Sequence, residues 1–263
     1  MTVGFIGTGN MGGALARAAS KTQCEIFLSD KAADKADALA KELGAKAVTM
    51  AEAALCDYVF LGVKPQMLAD LLKELAPVLA LRKTPGTIVS MAAGVAMADI
   101  QTMLGFEYPI IRIMPNTPVA VGNGVILYDT TEQVGLEATA GFVTILSQAG
   151  LLNRLPENLI DAGSALSGCG PAFVAMFAEA LADGAVACGL PRDKAMTYAA
   201  QTILGTAKLL LESGQHPGAL KDAVCSPGGS TIAGVNALEQ GSFRGTVMTA
   251  VKDAFVRTKE LGK

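Results

Sequence analysis

The chain is expected to fold as a parallel α/β sheet followed by an all-α C-terminal half. Three observations predict this. Up to about residue 125, apolar runs of strand length alternate with alanine-rich helical stretches, the βαβ pattern of a parallel sheet covered on both faces. The first apolar run enters a glycine-rich turn, Gly7-Thr-Gly-Asn-Met-Gly12, which opens the first helical stretch. Beyond about residue 156, strand patterns vanish and only helical ones remain.

Taken in order, the first strand is expected over residues 3–6 and its helix over 12–20. A second strand, 25–28, leads through Asp30 and Lys31 into a helix at 33–43. A short strand at 47–48 and a longer one at 58–63 follow, the latter closing in Val63-Lys64-Pro65-Gln66 before a helix at 67–79. The fifth strand, 87–90, runs into Ala92-Ala93-Gly94 and a helix at 97–104. The sixth, 110–114, ends at Pro115-Asn116-Thr-Pro118; residues 123–128 add a further strand and 131–148 read as a helix. Helices are then expected at 157–162, 171–188, 192–213, 218–224, 232–240 and 243–261, giving domains at 1–155 and 156–263. Several of these helices are apolar over more than one stripe and need burial on more than one side. A symmetric homodimer with intertwined helices supplies that burial.

Apolar residues make up 51% of the 263, ample core material for two domains. The net charge is −3 and Lys/Arg clusters are lacking, which argues against nucleic acid or an anionic membrane as partner. Met1-Thr-Val-Gly enters the glycine motif at once, so no export signal is expected. The apolar stretch 172–188 is broken by Glu179 and Asp183 and falls short of the ~20 residues that span a bilayer, so it reads as a buried or interface helix. Five cysteines without a C-x-x-C pair, beside the single His216, argue against a metal site or a disulfide framework. Buried thiols in a reducing cytoplasm are the expectation.

The strand–turn–helix setting makes the glycine motif a Rossmann-like dinucleotide site. Gly7 permits the tight turn, Gly9 lets the backbone approach a pyrophosphate, and Gly12 lets helix and strand pack closely. Thr8, Asn10 and Met11 complete the loop at the helix start, where N–H groups suit phosphate. At the end of the second strand, the Asp30 carboxylate can accept hydrogen bonds from the adenosine ribose and disfavour a 2′-phosphate, while Lys31 beside it can bind that phosphate. NAD and NADP are both expected cofactors. Val63, Lys64 and Pro65, then Ala92, Ala93 and Gly94, then Asn116 follow strands on the carboxyl edge, where open α/β sheets bind ligands. The Asn116 amide can orient a nicotinamide carboxamide or simply make a turn. His216-Pro-Gly reads as loop punctuation between helices.

Ser226-Pro227-Gly228-Gly229 ends one helix, and Ser230 and Thr231 start another. Proline lacks the N–H and glycine adopts backbone angles closed to other residues. A helix N-terminus suits a small carboxylate, and two hydroxyls add hydrogen bonding. From the residues alone the first reading is an N-cap after a tight turn.

The run 216–231, His-Pro-Gly-Ala-Leu-Lys-Asp followed by Ala-Val-Cys-Ser-Pro-Gly-Gly-Ser-Thr, resembles the signature of the pyrroline-5-carboxylate reductase family. The resemblance covers essentially the whole chain: Gly4 to Gly12, Val63 to Gln66, Ala92 to Gly94, Met114-Pro-Asn-Thr-Pro118, Leu166-Ser-Gly-Cys-Gly-Pro171 and Gly189-Leu-Pro191. It implies a Rossmann-like N-terminal domain, an all-α dimerisation domain, and reduction of the cyclic imine 1-pyrroline-5-carboxylate to L-proline by hydride from NAD(P)H, the last step of proline biosynthesis. By the same resemblance the three edge loops line the dinucleotide and nicotinamide site. Gly228, Gly229, Ser230 and Thr231 form the substrate loop: N–H groups at Gly229–Thr231 and the Ser230 hydroxyl hold the carboxylate, Thr231 Oγ1 stands near the ring nitrogen as the catalytic group, and Glu157 contacts substrate. The pocket is expected to be shared across the dimer. The chain departs from similar reductases at Asp30, often a small polar residue followed by arginine, at Cys169, usually serine, and at Ser230, often threonine or alanine.

A protonated cyclic imine already accepts hydride well, so positioning supplies much of the catalysis and no triad or metal cluster is required. Two alternatives are a dehydrogenase of the β-hydroxyacid or 6-phosphogluconate type, whose general base would be a lysine such as Lys194, Lys208 or Lys221, and a non-catalytic nucleotide-sensing protein.

Overall fold

The computed structural model describes residues 1–261 and divides into two compact units. The first holds Met1–Cys169 together with the end of the last helix from Ala254; the second holds Gly170–Asp253.

The first unit runs β1 (Thr2–Ile6), α1 (Asn10–Ala19), β2 (Glu25–Ser29), α2 (Ala33–Leu43), β3 (Lys46–Ala47), α3 (Met50–Ala53), β4 (Tyr58–Leu61), α4 (Pro65–Ala80), β5 (Thr87–Ser90), α5 (Met97–Leu104) and β6 (Ile110–Pro115). A 3-10 turn (Thr117–Val121), β7 (Gly124–Thr130), α6 (Leu136–Ile145), β8 (Gly150–Arg154) and α7 (Glu157–Ser167) follow. One sheet orders the strands β3-β2-β1-β4-β5-β6-β7-β8, parallel throughout except between β6 and β7.

Successive strand residues point to opposite faces, and the packing follows that alternation. Phe5, Phe60, Val89 and Ile111 join Leu15, Leu28 and Phe142 in one buried cluster. Their neighbours Ile6, Val59, Leu61, Ile88 and Ile110 join Leu68, Leu72, Leu75 and Ile100 in a second. Burial on both faces explains why these strands read as unbroken apolar runs.

Sequence and structure part in four places. Residues 131–148 form a shorter helix, because the Thr131 N–H donates to Ile110 O at 2.9 Å and prolongs the β6 ladder instead. β8 was not expected: it is an edge strand, mostly exposed, without an apolar run. α3 was also missed, although Thr49-x-x-Glu52 spells a capping box, with Thr49 N–H on Glu52 Oε2 at 2.8 Å and Glu52 N–H on Thr49 Oγ1 at 3.3 Å. The fourth is the packing of the first helix after residue 155, α7. In packing terms α7 belongs with the sheet, since Ile160 is buried against Met114 and Leu127.

The second unit contains α8 (Gly170–Ala187), α9 (Arg192–Ser213), α10 (Pro217–Ala223), α11 (Ser230–Gln240) and the larger part of α12 (Phe243–Leu261). α8 and α9 pack along one another, and their buried core is only Ala182, Ala195 and Ala199. Val174, Met176, Tyr198, Leu204, Leu211 and Met248 are exposed in the single chain. His216 caps α10, its Nδ1 accepting the Gly218 N–H at 3.1 Å, as the local reading of His-Pro-Gly expects. The expectation of five buried thiols needs correction. Only Cys56 is buried, and burial pushes its thiol up to about 11; Cys188 is exposed and the other three lie between. Among the described residues no cluster of ligands suits a metal ion.

Candidate active site

In the first unit, parallel pairing of β2, β1, β4, β5 and β6 brings their carboxyl ends to one edge. The Gly7–Gly12 loop, Asp30, Val63–Pro65, Ala92–Gly94 and Asn116 all leave strands there, as their spacing predicts.

The three motif glycines have different causes. Gly7 has φ +95°, a left-handed conformation that favours glycine. A Cβ on Gly12 would lie 2.1 Å from Gly7 O, so close packing of turn and helix requires its absence. Gly9 is constrained by neither: its φ is −64° and a Cβ there would meet open space. The protein itself does not need glycine at position 9, whereas a ligand lying on the backbone does. No side chain caps α1, so N–H groups at Asn10 and Met11 face that space. These features fit a dinucleotide pyrophosphate. Gly9→Ala is therefore expected to cost no more than ~1 kcal/mol of stability yet weaken NADH ~5- to 150-fold in a binding titration. An unchanged dissociation constant would place the pyrophosphate elsewhere. Gly12→Ala should damage both properties.

Asp30 is fastened to the loop. Its Oδ2 accepts the Thr8 N–H at 2.7 Å and the Thr8 hydroxyl at 3.0 Å, and its Oδ1 accepts the Ala32 N–H at 3.0 Å. Partial burial pushes this carboxyl up, but the hydrogen bonds outweigh it and hold the group below the usual carboxylate range. Lys31 is exposed beside it. Lys64 and Pro65 start α4, and Gly94 has φ +73° in the turn before α5.

Asn116 and Glu157 are engaged within the protein. Asn116 Oδ1 accepts the Val125 N–H at 2.8 Å, and its Nδ2 donates to Ser167 O at 2.9 Å, tying the end of α7 to β7. Glu157 Oε1 accepts the Met97 N–H at 2.8 Å at the start of α5 and contacts Arg112 Nη1 at 3.4 Å. Arg112, 3% exposed within β6, also donates through Nη2 to Asp161 Oδ1 at 2.7 Å. Arg112 and Asp161 escaped sequence reasoning. The available signal was an arginine inside Ile-Ile-Arg-Ile-Met, since a charge in a strand buried on both faces needs partners.

In the second unit, Gly228 takes φ +68° and Gly229 N–H donates to Ser226 O at 3.0 Å, closing the turn. α11 then begins at Ser230 with no side-chain cap. The expected donor set shifts by one residue: Gly229 N–H is occupied, while those of Ser230, Thr231 and Ile232 are left without helical partners. Among the described residues, neither hydroxyl of Ser230 and Thr231 caps the helix, so the bland N-cap reading does not account for them.

Known proteins match this chain over essentially its whole length. A family model for pyrroline-5-carboxylate reductase dimerisation matches residues 157–261. A second, described as NADP oxidoreductase coenzyme F420-dependent, matches residues 2–94. Pyrroline-5-carboxylate reductase of Escherichia coli (strain K12) is 39% identical, covering 99% of this chain and 98% of its own. Pyrroline-5-carboxylate reductase 3 of Macaca fascicularis is 38% identical, covering 99% and 96%. The crystal structure of Plasmodium falciparum pyrroline carboxylate reductase, with NADP bound, superposes with a TM-score of 0.88 at 31% identity, covering 100% of this chain and 98% of its own. Full-length identity at this level, on a fold and a loop signature already in place, makes the chain a member of the pyrroline-5-carboxylate reductase family.

Proposed function

We propose that the chain reduces 1-pyrroline-5-carboxylate to L-proline as a homodimer in the cytoplasm, with NADP or NAD, as NAD(P)H, supplying the hydride. The observation that carries this reading is the uncapped start of α11, three N–H groups and two hydroxyls directly after a glycine-fixed turn. The substrate carboxylate suits the N–H groups of Ser230, Thr231 and Ile232 and the positive end of the helix dipole. Thr231 Oγ1 accepts the hydrogen on the protonated ring nitrogen and keeps the imine in its reactive, charged form. Ser230 contributes its hydroxyl to the carboxylate.

When bound, the reduced nicotinamide supplies the hydride. Gly7, Thr8, Gly9, Asn10, Met11 and Gly12 hold the pyrophosphate, with Asp30 and Lys31 at the adenosine ribose. Val63, Lys64, Pro65, Ala92, Ala93 and Gly94 line the nicotinamide half. Asn116 stands at the nicotinamide and Glu157 at the substrate in this reading, the first braced by its bond to Ser167 O and the second by the bond it accepts from the Met97 N–H. A dehydrogenase base is poorly served: Lys208 pairs with Glu212 and Lys221 with Asp222, each on its own helix, and Lys194 is exposed in the first turn of α9.

Initial rates with pyrroline-5-carboxylate and either reduced cofactor test the reading. Protein that binds a dinucleotide but turns over no cyclic imine would refute it.

The homodimer is supported by the small alanine core of the second unit and its exposed apolar side chains. The run Glu157–Ala187 is also long and apolar enough by composition to cross a membrane, and only 11% of its most apolar window is buried in the single chain. The matched dimerisation family gives that surface another occupant, a second copy. Light scattering at assay concentration is expected to give a multiple of two of the 26.9 kDa chain mass. A fully active monomer would overturn the assignment.

A further inference from the structure

We infer that α7 is a strut that fixes the two turns assigned to the nicotinamide half relative to one another, with Arg112 and Asp161 as positioning residues for hydride transfer. The inference rests on the dinucleotide site proposed above. Both ends of α7 reach turns on the carboxyl edge of the sheet. At its start, Glu157 Oε1 accepts the Met97 N–H at 2.8 Å, the first N–H of α5, just after the Ala92–Gly94 turn. At its end, Ser167 O accepts a hydrogen from Asn116 Nδ2 at 2.9 Å, in the turn that follows β6. α7 has 11 residues, so its two ends stand about 15 Å apart on one rigid rod.

The strut is itself pinned by charge. Glu157 and Asp161 are at i and i+4, on one face of the helix. Arg112 meets both, with Nη1 at 3.4 Å from Glu157 Oε1 and Nη2 at 2.7 Å from Asp161 Oδ1. Asp129 in β7 holds the same end, its Oδ2 accepting the Glu157 N–H at 2.8 Å. Stability alone does not account for this cluster. A buried ion pair replaced by apolar residues of similar volume is often as stable or more so. The Arg112 Nε–H is also buried with no hydrogen-bond partner among the described residues, a cost that an apolar residue would not carry. What an apolar residue cannot supply is direction. A guanidinium fork fixes two carboxylates, and with them the rotation and the axial position of α7. Hydride transfer is sensitive to that setting, because moving the reacting atoms by about 1 Å can cost roughly 100-fold in rate.

The test is single-turnover oxidation of the reduced dinucleotide at saturating pyrroline-5-carboxylate, on the intact protein well below its melting temperature. Dinucleotide binding titrations and thermal melts run beside it. Asp161→Ala should slow hydride transfer about 10- to 100-fold while the dinucleotide dissociation constant stays within a few-fold, since the Gly7–Gly12 loop is untouched. Asp161→Asn keeps an acceptor for Arg112 Nη2 and should recover most of the rate. Arg112→Lys loses the fork and should show a smaller fall of the same kind, which keeps the test open where Asp161→Ala does not fold. Ile26→Val removes a buried methyl from β2, four strands from β6 in the sheet, and should keep the wild-type rate. Wild-type hydride transfer in folded Asp161→Ala or Arg112→Lys protein overturns the inference. So does a loss that Ile26→Val shares, or one matched by an equal loss of dinucleotide affinity. Wild-type protein that binds dinucleotide but oxidises none of it with the imine would instead overturn the proposed function.

Discussion

Thr231→Val is expected to lower kcat/KM for pyrroline-5-carboxylate ~5- to 150-fold, with the dinucleotide dissociation constant nearly unchanged. Valine keeps the branched shape and the backbone N–H at the start of α11 and removes only the hydroxyl. That hydroxyl does not cap the helix, so its loss should leave the melting temperature where it is. Its proposed partner is the hydrogen on the substrate nitrogen. Leaving a polar group unpaired in the reacting complex costs ~1–3 kcal/mol, which is the stated range of rate. Thr231→Ala should behave similarly. Steady-state kinetics across pH, with a cofactor titration beside them, check the result. Wild-type kcat/KM for Thr231→Val at every pH would mean that the hydroxyl takes no part in the chemistry.

Arg112→Ala is expected to reduce the free energy of unfolding by ~3–5 kcal/mol, the cost of removing one partner from a buried ion pair. The Arg112 side chain is 4% exposed, and its partners Glu157 and Asp161 are 27% and 24% exposed. Truncation would leave two carboxylates facing an emptied space between β6 and α7. The damage should spread to the candidate site, because Glu157 also receives the Met97 N–H that follows the Ala92–Gly94 turn. Arg112→Lys keeps a charge but loses the fork that reaches both acids, and should fall between wild type and Arg112→Ala. Urea unfolding followed by circular dichroism measures the difference. A loss below ~1 kcal/mol for Arg112→Ala would mean that water screens these pairs despite their burial.

Much of the candidate site was legible because its determinants are local. Gly7, Gly12 and Gly228 are required by a turn, a close approach and a left-handed φ within a few residues of themselves. The Ser-Pro-Gly-Gly-Ser-Thr run likewise states its own break and restart. What it could not reveal is which N–H groups stay open. The bond from Gly229 to Ser226 O moved the donor set one residue onward.

The roles of Asn116 and Glu157 were less legible, and for one reason. Their partners lie 51 and 60 residues away in sequence, at Ser167 and Met97. Neither pairing leaves a trace in local pattern. The same holds for Thr8 and Asp30, whose bond joins the first and second strand ends across 22 residues.

The sequence by itself determined the α/β class, the strands that are buried on both faces, the glycine loop, the helical C-terminal half and the family. Each of these is written in periodicity, or in residues whose conformational demands act over a turn or two. Only the tertiary structure decided the edge strand β8, the placement of α7 on the sheet, the ion-pair cluster of Arg112, and the clasp that holds Asp30. Those features depend on which distant groups burial brings together. A buried polar group must find a partner wherever the fold supplies one.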